Sequence, residues 1–172
     1  MEATNRERWK SINGFANYEI SSCGRARNAT TERMLKSSDD GRGYLKINLY
    51  KEGKPSTMKI HKLVAEAFVD NPEDKKCVDH IDNDKTNNNW ENLRYATHAE
   101  NARNKSKRAN ATSTYYGVCF HKKADKWHAQ IQIDGRRKHL GYFTDEKEAA
   151  AVFNKAAAEF YKEFRKINVF SD

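Results

Sequence analysis

From Leu45 to Tyr50 apolar and polar residues alternate strictly, with Leu45, Ile47 and Leu49 on one side, the pattern of a half-buried strand. Glu52-Gly53-Lys54 supplies a hairpin turn and Thr57–Ile60 returns. The period then lengthens: Leu63, Val64, Ala67 and Phe68 fall on one face of a helix opened by His61. Cys77–Ile81 reads as a short strand, Asp82–Asn89 as an Asp- and Asn-rich loop, and Leu93–Thr97 as the returning strand. Thr97 or His98 can cap a short helix carrying Glu100 and Asn101. Strand, loop, strand and helix would bring Asp79, His80 and Asn101 to one point.

The flanking regions are patterned differently. Before this unit, Trp9, Ile12, Phe15, Tyr18 and Ile20 can form a small apolar cluster, and Gly24 turns the chain into a basic strand with Arg25 and Arg27. After it, Lys105–Ser113 is polar and basic with no apolar face, a linker or extended arm. Three strands follow, Tyr116–His121, Trp127–Ile133 and Arg136–Phe143, the last two joined by a tight turn at Asp134-Gly135. Thr144 or Asp145 caps a long helix whose Ala149, Ala150, Val152, Phe153, Ala156, Ala157 and Phe160 form its apolar side. The whole is an α+β chain: a small β-rich N-terminal module (1–58), a ββα unit (59–104), a basic linker (105–113) and a three-stranded antiparallel sheet packed on one helix (114–172).

Composition narrows the partners. The 172 residues carry a net charge of +8 and only 37% hydrophobic residues, which favours several small modules over one large core. Between Ala102 and Lys138, ten Lys and Arg face two acids, so this stretch holds the entire positive excess. Glu66–Asn92 is the reverse, with eight acids against three lysines. An acidic centre flanked by basic parts fits a cation site beside surfaces that hold a polyanion. The three cysteines, Cys23, Cys77 and Cys119, form no Cys-x-x-Cys pair, which argues against a zinc knuckle and for free thiols in a reducing cytoplasm. No apolar stretch approaches the ~20 residues that span a bilayer, and no membrane role is expected.

The central unit offers the chemistry of phosphodiester hydrolysis. An imidazole titrates near neutral pH and suits His80 to the task of general base. Asp79 and the amide oxygen of Asn101 form a sparse oxygen shell of the kind Mg²⁺ accepts, with water and substrate phosphate completing it. Asn92 can hydrogen-bond across the loop and hold its shape. His61 stays open between a structural role and a site role, and His98 reads as a cap or phosphate contact.

These residues, His61–Phe68, Val78–Asp82, Asn87-Asn88, Glu91–Leu93 and Thr97–Asn101, resemble the HNH nucleases, especially the homing endonucleases of phages and mobile introns. The resemblance implies a ββα-metal fold with one divalent cation. It makes His80 the general base, Asp79 and Asn101 the ligands and Asn92 the orienting middle residue, with 5′-phosphate and 3′-hydroxyl products. Asn101 stands where many relatives carry His, which favours Mg²⁺ or Mn²⁺ over Zn²⁺. The segment Arg8–Asn28 resembles the small module that often precedes the catalytic unit in these enzymes.

The last third of the chain resembles the APETALA2/ethylene-response-factor DNA-binding domain, through Tyr116-Gly117-Val118, Lys126–Ala129, Leu140–Phe143, Glu148-Ala149-Ala150, Phe153–Ala157 and Asn168. That family lays its sheet in the major groove, which implies a DNA-reading face of Tyr116, His121, Lys126, Gln130, Gln132, Arg137 and His139. Arg103, Lys105, Lys107 and Arg108 are expected to track the backbone. Cys119, Gln130 and Gln132 stand where plant relatives carry base-reading arginines, and Gln favours adenine where Arg favours guanine. The expectation is a monomeric, metal-dependent endonuclease of duplex DNA, acting in the cytoplasm of a phage-infected host without a small-molecule substrate. The alternatives are a non-catalytic sequence-specific DNA binder with a decayed nuclease fold, and an RNA-processing protein.

Overall fold

The computed structural model describes residues 6–104, 111–133, 135–161, 164 and 167–170. The chain divides into two compact units, Met1–Thr97 and His98–Asp172.

In the first unit, β1 (Trp9–Ile12), β2 (Phe15–Ser21) and β3 (Ala26–Asn28) form an antiparallel sheet in that order. A second sheet joins β4 (Ser38–Asp39), β5 (Leu45–Lys51) and β6 (Lys54–Lys59). The β5–β6 hairpin turns at Glu52-Gly53 with Lys51 opposite Lys54, and feeds α1 (Ile60–Phe68) without a linker. Helix α1 buries Ile60, His61, Leu63, Val64 and Ala65. Two short strands, β7 (Cys77–His80) and β8 (Leu93–Ala96), close the unit as an antiparallel pair. Ile12, Ile20, Ala26, Ile47, Leu49, Ile60, Leu63, Val64 and Leu93 form one buried cluster. The core therefore runs without a break from the N-terminal sheet through the hairpin and α1 to β8. At about 25 cal/mol per Å² of apolar surface buried, such a shared cluster couples these parts more firmly than a flexible linker would.

The second unit opens with the six-residue α2 (His98–Arg103). Strands β9 (Val118–His121), β10 (Lys126–Ile133) and β11 (Arg136–Phe143) form an antiparallel sheet with β10 in the middle. Helix α3 (Glu146–Phe160) packs across one face. Its N-cap is Asp145, whose carboxylate accepts the Lys147 N–H at 2.9 Å. The small side chains of Ala149, Ala150, Ala156 and Ala157 let helix and sheet approach closely over Val118, Ala129, Ile131 and Phe153. Buried Asn168 ties the chain after α3 to the start of the sheet, through the Tyr116 N–H and carbonyl and the Asn154 amide. The architecture is the α+β arrangement expected, with small sheets and few helices. Among the described residues no helix is long and apolar enough to cross a membrane.

Candidate functional site

The β7–β8 ladder places Asp79 opposite Arg94 and His80 opposite Leu93. Alternation alone would expose one of two neighbouring strand residues, yet Asp79 and His80 are only 6% and 5% exposed. A buried carboxylate needs compensation, and Arg94 supplies it: its Nε and Nη2 both donate to Asp79 Oδ2, at 3.0 and 2.9 Å.

The loop between the strands is knotted by its own Asp and Asn side chains. Asn92 ends a short 3₁₀ turn (Trp90–Asn92) capped by Asn89. Its Oδ1 accepts the Asp82 N–H at 3.1 Å, while its Nδ2 donates to Asp82 Oδ1 at 2.9 Å and to the Asn87 carbonyl at 2.8 Å. Its own carbonyl accepts the Ile81 N–H at 2.9 Å. Burial pushes the Asp82 carboxyl up, but the hydrogen bonds from Asn92, Asn87 and the Asp84 N–H, with His80 nearby, hold it below the usual carboxylate range. The loop is thus kept as an anionic turn beside His80.

His80 Nε2 lies 3.1 Å from Asn88 Oδ1, and Asn88 is itself 4% exposed. On its other side the imidazole meets the ring of His61 edge-on at 5.2 Å, and Tyr44 stands 4.9 Å from His61 and 6.0 Å from His80. His61 is buried with no hydrogen-bond partner for Nδ1. Burial, then the nearby His80, Lys59 and Lys62, push its pKa from 6.5 down to about 3, so it is a neutral packing ring at physiological pH. Lys59 and Lys85 cap the Tyr44 ring at 4.3 and 4.6 Å, and Lys85 also donates to the Arg42 carbonyl at 2.7 Å. That bond pins the loop to the second sheet.

Asp79, His80 and Asn92 thus lie within one strand–loop–strand element of the first unit. Asn101 lies on α2, in the second unit. Sequence reasoning missed Arg94 and Tyr44, and gave Asn88 no role beyond its place in the Asn87-Asn88 match. Arg94 could have been found by pairing the two strands, and Asn88 only by knowing which Asn of the loop turns inward. Arg25 and Arg27 of the N-terminal module are held by acids, Glu7 for Arg25 and Glu19 for Arg27, and lie over Trp9.

In the second unit the outer face of the sheet, away from α3, carries Cys119 and His121 from β9, Lys126, His128, Gln130 and Gln132 from β10, and Arg137, His139 and Tyr142 from β11. Six of the seven residues expected on this face are there. Tyr116 is not: it precedes β9 and packs against the helix-side core with Ile131 and Phe153. The adjacent Gly117 at φ +72° turns the chain before the strand begins, so the alternation of β9 does not extend back to Tyr116. His128 and Tyr142 were not anticipated. Tyr142 reaches this face because the ladder slips between Ala129 and Gln130, at Gly141 with φ +143°. His128 Nε2 lies 2.7 Å from His139 Nδ1, and Tyr142 stacks on His128 at 5.0 Å. Burial, then His139 and His121, lower the His128 pKa. Arg103 lies over the Tyr161 ring at 4.7 Å. Lys105, Lys107 and Arg108 lie outside the described residues.

Comparison with known proteins converges on the same stretch. Residues 58–103 match the HNH endonuclease family model, and residues 7–50 match the NUMOD4 motif. The chain is 40% identical over 95 residues to an uncharacterized HNH endonuclease of Acanthamoeba polyphaga mimivirus, covering 55% of this chain and 28% of that one. It is 37% identical over 101 residues to DNA endonuclease I-HmuI of Bacillus phage SP01, covering 58% of each. Across the curated relatives it matches, the chain spans between 25% and 58% of their length. The solved structure of the HNH homing endonuclease I-HmuI, described as binding and cleaving DNA, superposes with a TM-score of 0.55 at 28% identity, over 92% of this chain and 91% of that one.

Proposed function

We infer that this chain, which carries an HNH endonuclease domain behind a NUMOD4 motif and is homologous to the phage homing endonuclease I-HmuI, is a divalent-metal-dependent endonuclease of duplex DNA. The observation that carries this reading is the burial of Asp79 and His80 side by side on β7, under a loop tied shut by Asn92.

The donor set fits a hard cation. Among the described residues no three His, Cys, Asp or Glu side chains group as a metal cluster. An ion here would rest on the Asp79 carboxylate and, by its motif position, the Asn101 amide oxygen. Mg²⁺ or Mn²⁺ binds in this sparse way, completing its shell with water and phosphate. Bound there, such an ion supplies Lewis acidity to the scissile phosphate.

The chain's own residues do the rest. His80 accepts the proton of the attacking water. Arg94 holds one oxygen of Asp79 and so fixes the direction of the other. Asn92 keeps the loop from collapsing over the imidazole. His61, neutral and buried, walls one side of His80.

Residues 1–58 serve as a supporting module, 59–104 as the nuclease unit, 105–113 as a basic arm and 114–172 as an APETALA2/ERF-like DNA-binding domain. The outer sheet face offers Gln130, Gln132, Arg137 and His139 at alternate positions, the spacing with which a strand reads base edges in a major groove. Arg103, Lys105, Lys107 and Arg108 neutralise phosphates along the arm. One nuclease unit per chain suits a monomer that nicks one strand.

Supercoiled phage or plasmid DNA incubated with the protein and Mg²⁺ tests this. Open-circle or linear product that vanishes with EDTA supports the reading. A gel shift without cleavage, with or without Mg²⁺, overturns it in favour of a DNA binder.

A further inference from the structure

We propose that Asn88 is a positioning residue for His80, fixing which imidazole nitrogen carries the proton, and that the N-terminal module holds Asn88 in place through Ser22 and Gly24. The proposal rests on the reading of His80 as general base.

An asparagine can turn either its oxygen or its NH₂ toward a neighbour, and the surrounding bonds decide which. Asn88 Nδ2 lies 3.1 Å from the Thr86 carbonyl. Only the NH₂ can donate there, so Oδ1 is the atom that faces His80 Nε2 at 3.1 Å. Flipping the amide would set oxygen against the Thr86 carbonyl and NH₂ against the ring. An accepting oxygen at Nε2 selects the neutral tautomer protonated at Nε2, which leaves the lone pair on Nδ1. Nδ1 is then the nitrogen that takes the proton from water. With both residues almost fully buried, bulk water does not compete for this bond.

This role is separate from that of Asn92, whose bonds go to Asp82, Asn87 and Ile81. Asn92 sets the shape of the loop, whereas Asn88 sets the state of the imidazole.

The position of Asn88 is fixed from outside the nuclease element. Gly24, in the turn between β2 and β3, has φ +83°, and a Cβ built on it would stand 2.7 Å from Asn88 Cβ and 3.2 Å from the Asn88 carbonyl oxygen. No L side chain fits there without moving the loop. The Ser22 carbonyl accepts the Trp90 N–H at 2.9 Å, two residues beyond Asn88. The turn itself is tied by a side chain: buried Ser21 Oγ accepts the N–H groups of Cys23 and Arg25 at 3.3 and 2.9 Å. The N-terminal module thereby acts on the chemistry by close packing, apart from any contact with nucleic acid.

The test reads the tautomer directly. The full chain is labelled with ¹⁵N-histidine and His80 is observed by long-range ¹H–¹⁵N correlation under mildly alkaline conditions. The wild type is expected to show a pyrrole-type Nε2 and a pyridine-type Nδ1. Asn88→Ala is expected to mix the tautomers and to slow Mg²⁺-dependent cleavage of supercoiled DNA by about 10- to 100-fold, less than loss of the base itself. Asn88→Asp keeps the accepting oxygen and is expected to keep the tautomer. Gly24→Ala is expected to shift His80 in the same direction as Asn88→Ala, and the double variant to lose little more than Asn88→Ala alone.

A wild-type His80 protonated at Nδ1 overturns the proposal, and that measurement does not depend on any variant folding. So does a folded Asn88→Ala chain with an unchanged tautomer and unchanged cleavage. A chain that shows the expected tautomers but cuts no DNA upholds the positioning role and overturns the nuclease reading instead.

Discussion

Removing Arg94 tests whether Asp79 is built to face a cation. The two side chains are 16% and 6% exposed and meet at 2.9 Å. At an effective dielectric of 20, charges at that distance attract by about 6 kcal/mol, most of which is offset by desolvation. Deleting Arg94 takes two hydrogen bonds and the facing charge from a buried carboxylate, at a cost of about 3–5 kcal/mol, with the lower end fitting a partly exposed arginine. Arg94→Met, which keeps the aliphatic stem, is therefore expected to lower the melting temperature by roughly 10 °C or more without added metal. A divalent ion on Asp79 would supply the missing positive charge. Mg²⁺ at 100 times its dissociation constant restores about 2.7 kcal/mol, close to the lower estimate of the loss. Thermal melts of wild type and variant, each with EDTA and with saturating Mg²⁺, give four numbers. Arg94→Met should gain clearly more from Mg²⁺ than wild type does. Equal Mg²⁺ responses in the two proteins would refute the cation site at Asp79, and an unchanged melt in EDTA would refute the cost assigned to the ion pair.

Further predictions concern the loop, the buried ring and the sheet. Asn92→Ala removes three hydrogen bonds worth about 0.5–1.5 kcal/mol each, reduced here by partial exposure, and should speed hydrogen exchange at Ile81 and Asp82 while lowering kcat more than it raises KM. His61 binds a proton when unfolded at its ordinary 6.5 but when folded only near 3. Stability is therefore lost as pH falls from about 6.5 toward 3, by up to about 1.4 kcal/mol per unit, and urea melts of His61→Leu should show a weaker acid dependence than wild type. Gln132→Ala should cost about 1–3 kcal/mol at a cognate duplex and leave affinity for unrelated DNA unchanged, as read by fluorescence anisotropy at fixed salt.

Much of the fold was legible because each element carries its own period: alternation in β5 and β10, helical spacing in α1 and α3, and Asp-Asn richness in the loop after β7. The part of the site that sequence supplies is the part fixed by neighbours in the chain, as with Asp79-His80 and the Asn92 that closes the loop. Arg94 was hidden because its pairing with Asp79 depends on the register of two strands separated by a loop, which periodicity does not set. Asn88 sits in the run Asn87-Asn88-Asn89, and only the backbone path turns one of the three inward to His80. Tyr142 was not foreseen on the outer face because simple alternation from Arg137 and His139 does not reach it, and the irregularity at Gly141 restarts the count. The continuous core of the first unit was hidden for a further reason: Ile12 and Ile20 look like a self-sufficient cluster until Leu63 and Leu93 are seen packed with them.

If His80 is the base of a phosphodiester hydrolysis, its loss must slow cleavage without abolishing DNA binding. The most direct measurement is the rate at which wild type and His80→Ala convert supercoiled DNA to open-circle or linear form in Mg²⁺, with melting curves showing both folded. His80→Ala is expected to lose about 10²- to 10⁴-fold in rate, with DNA binding retained. Equal rates for the two proteins would contradict it.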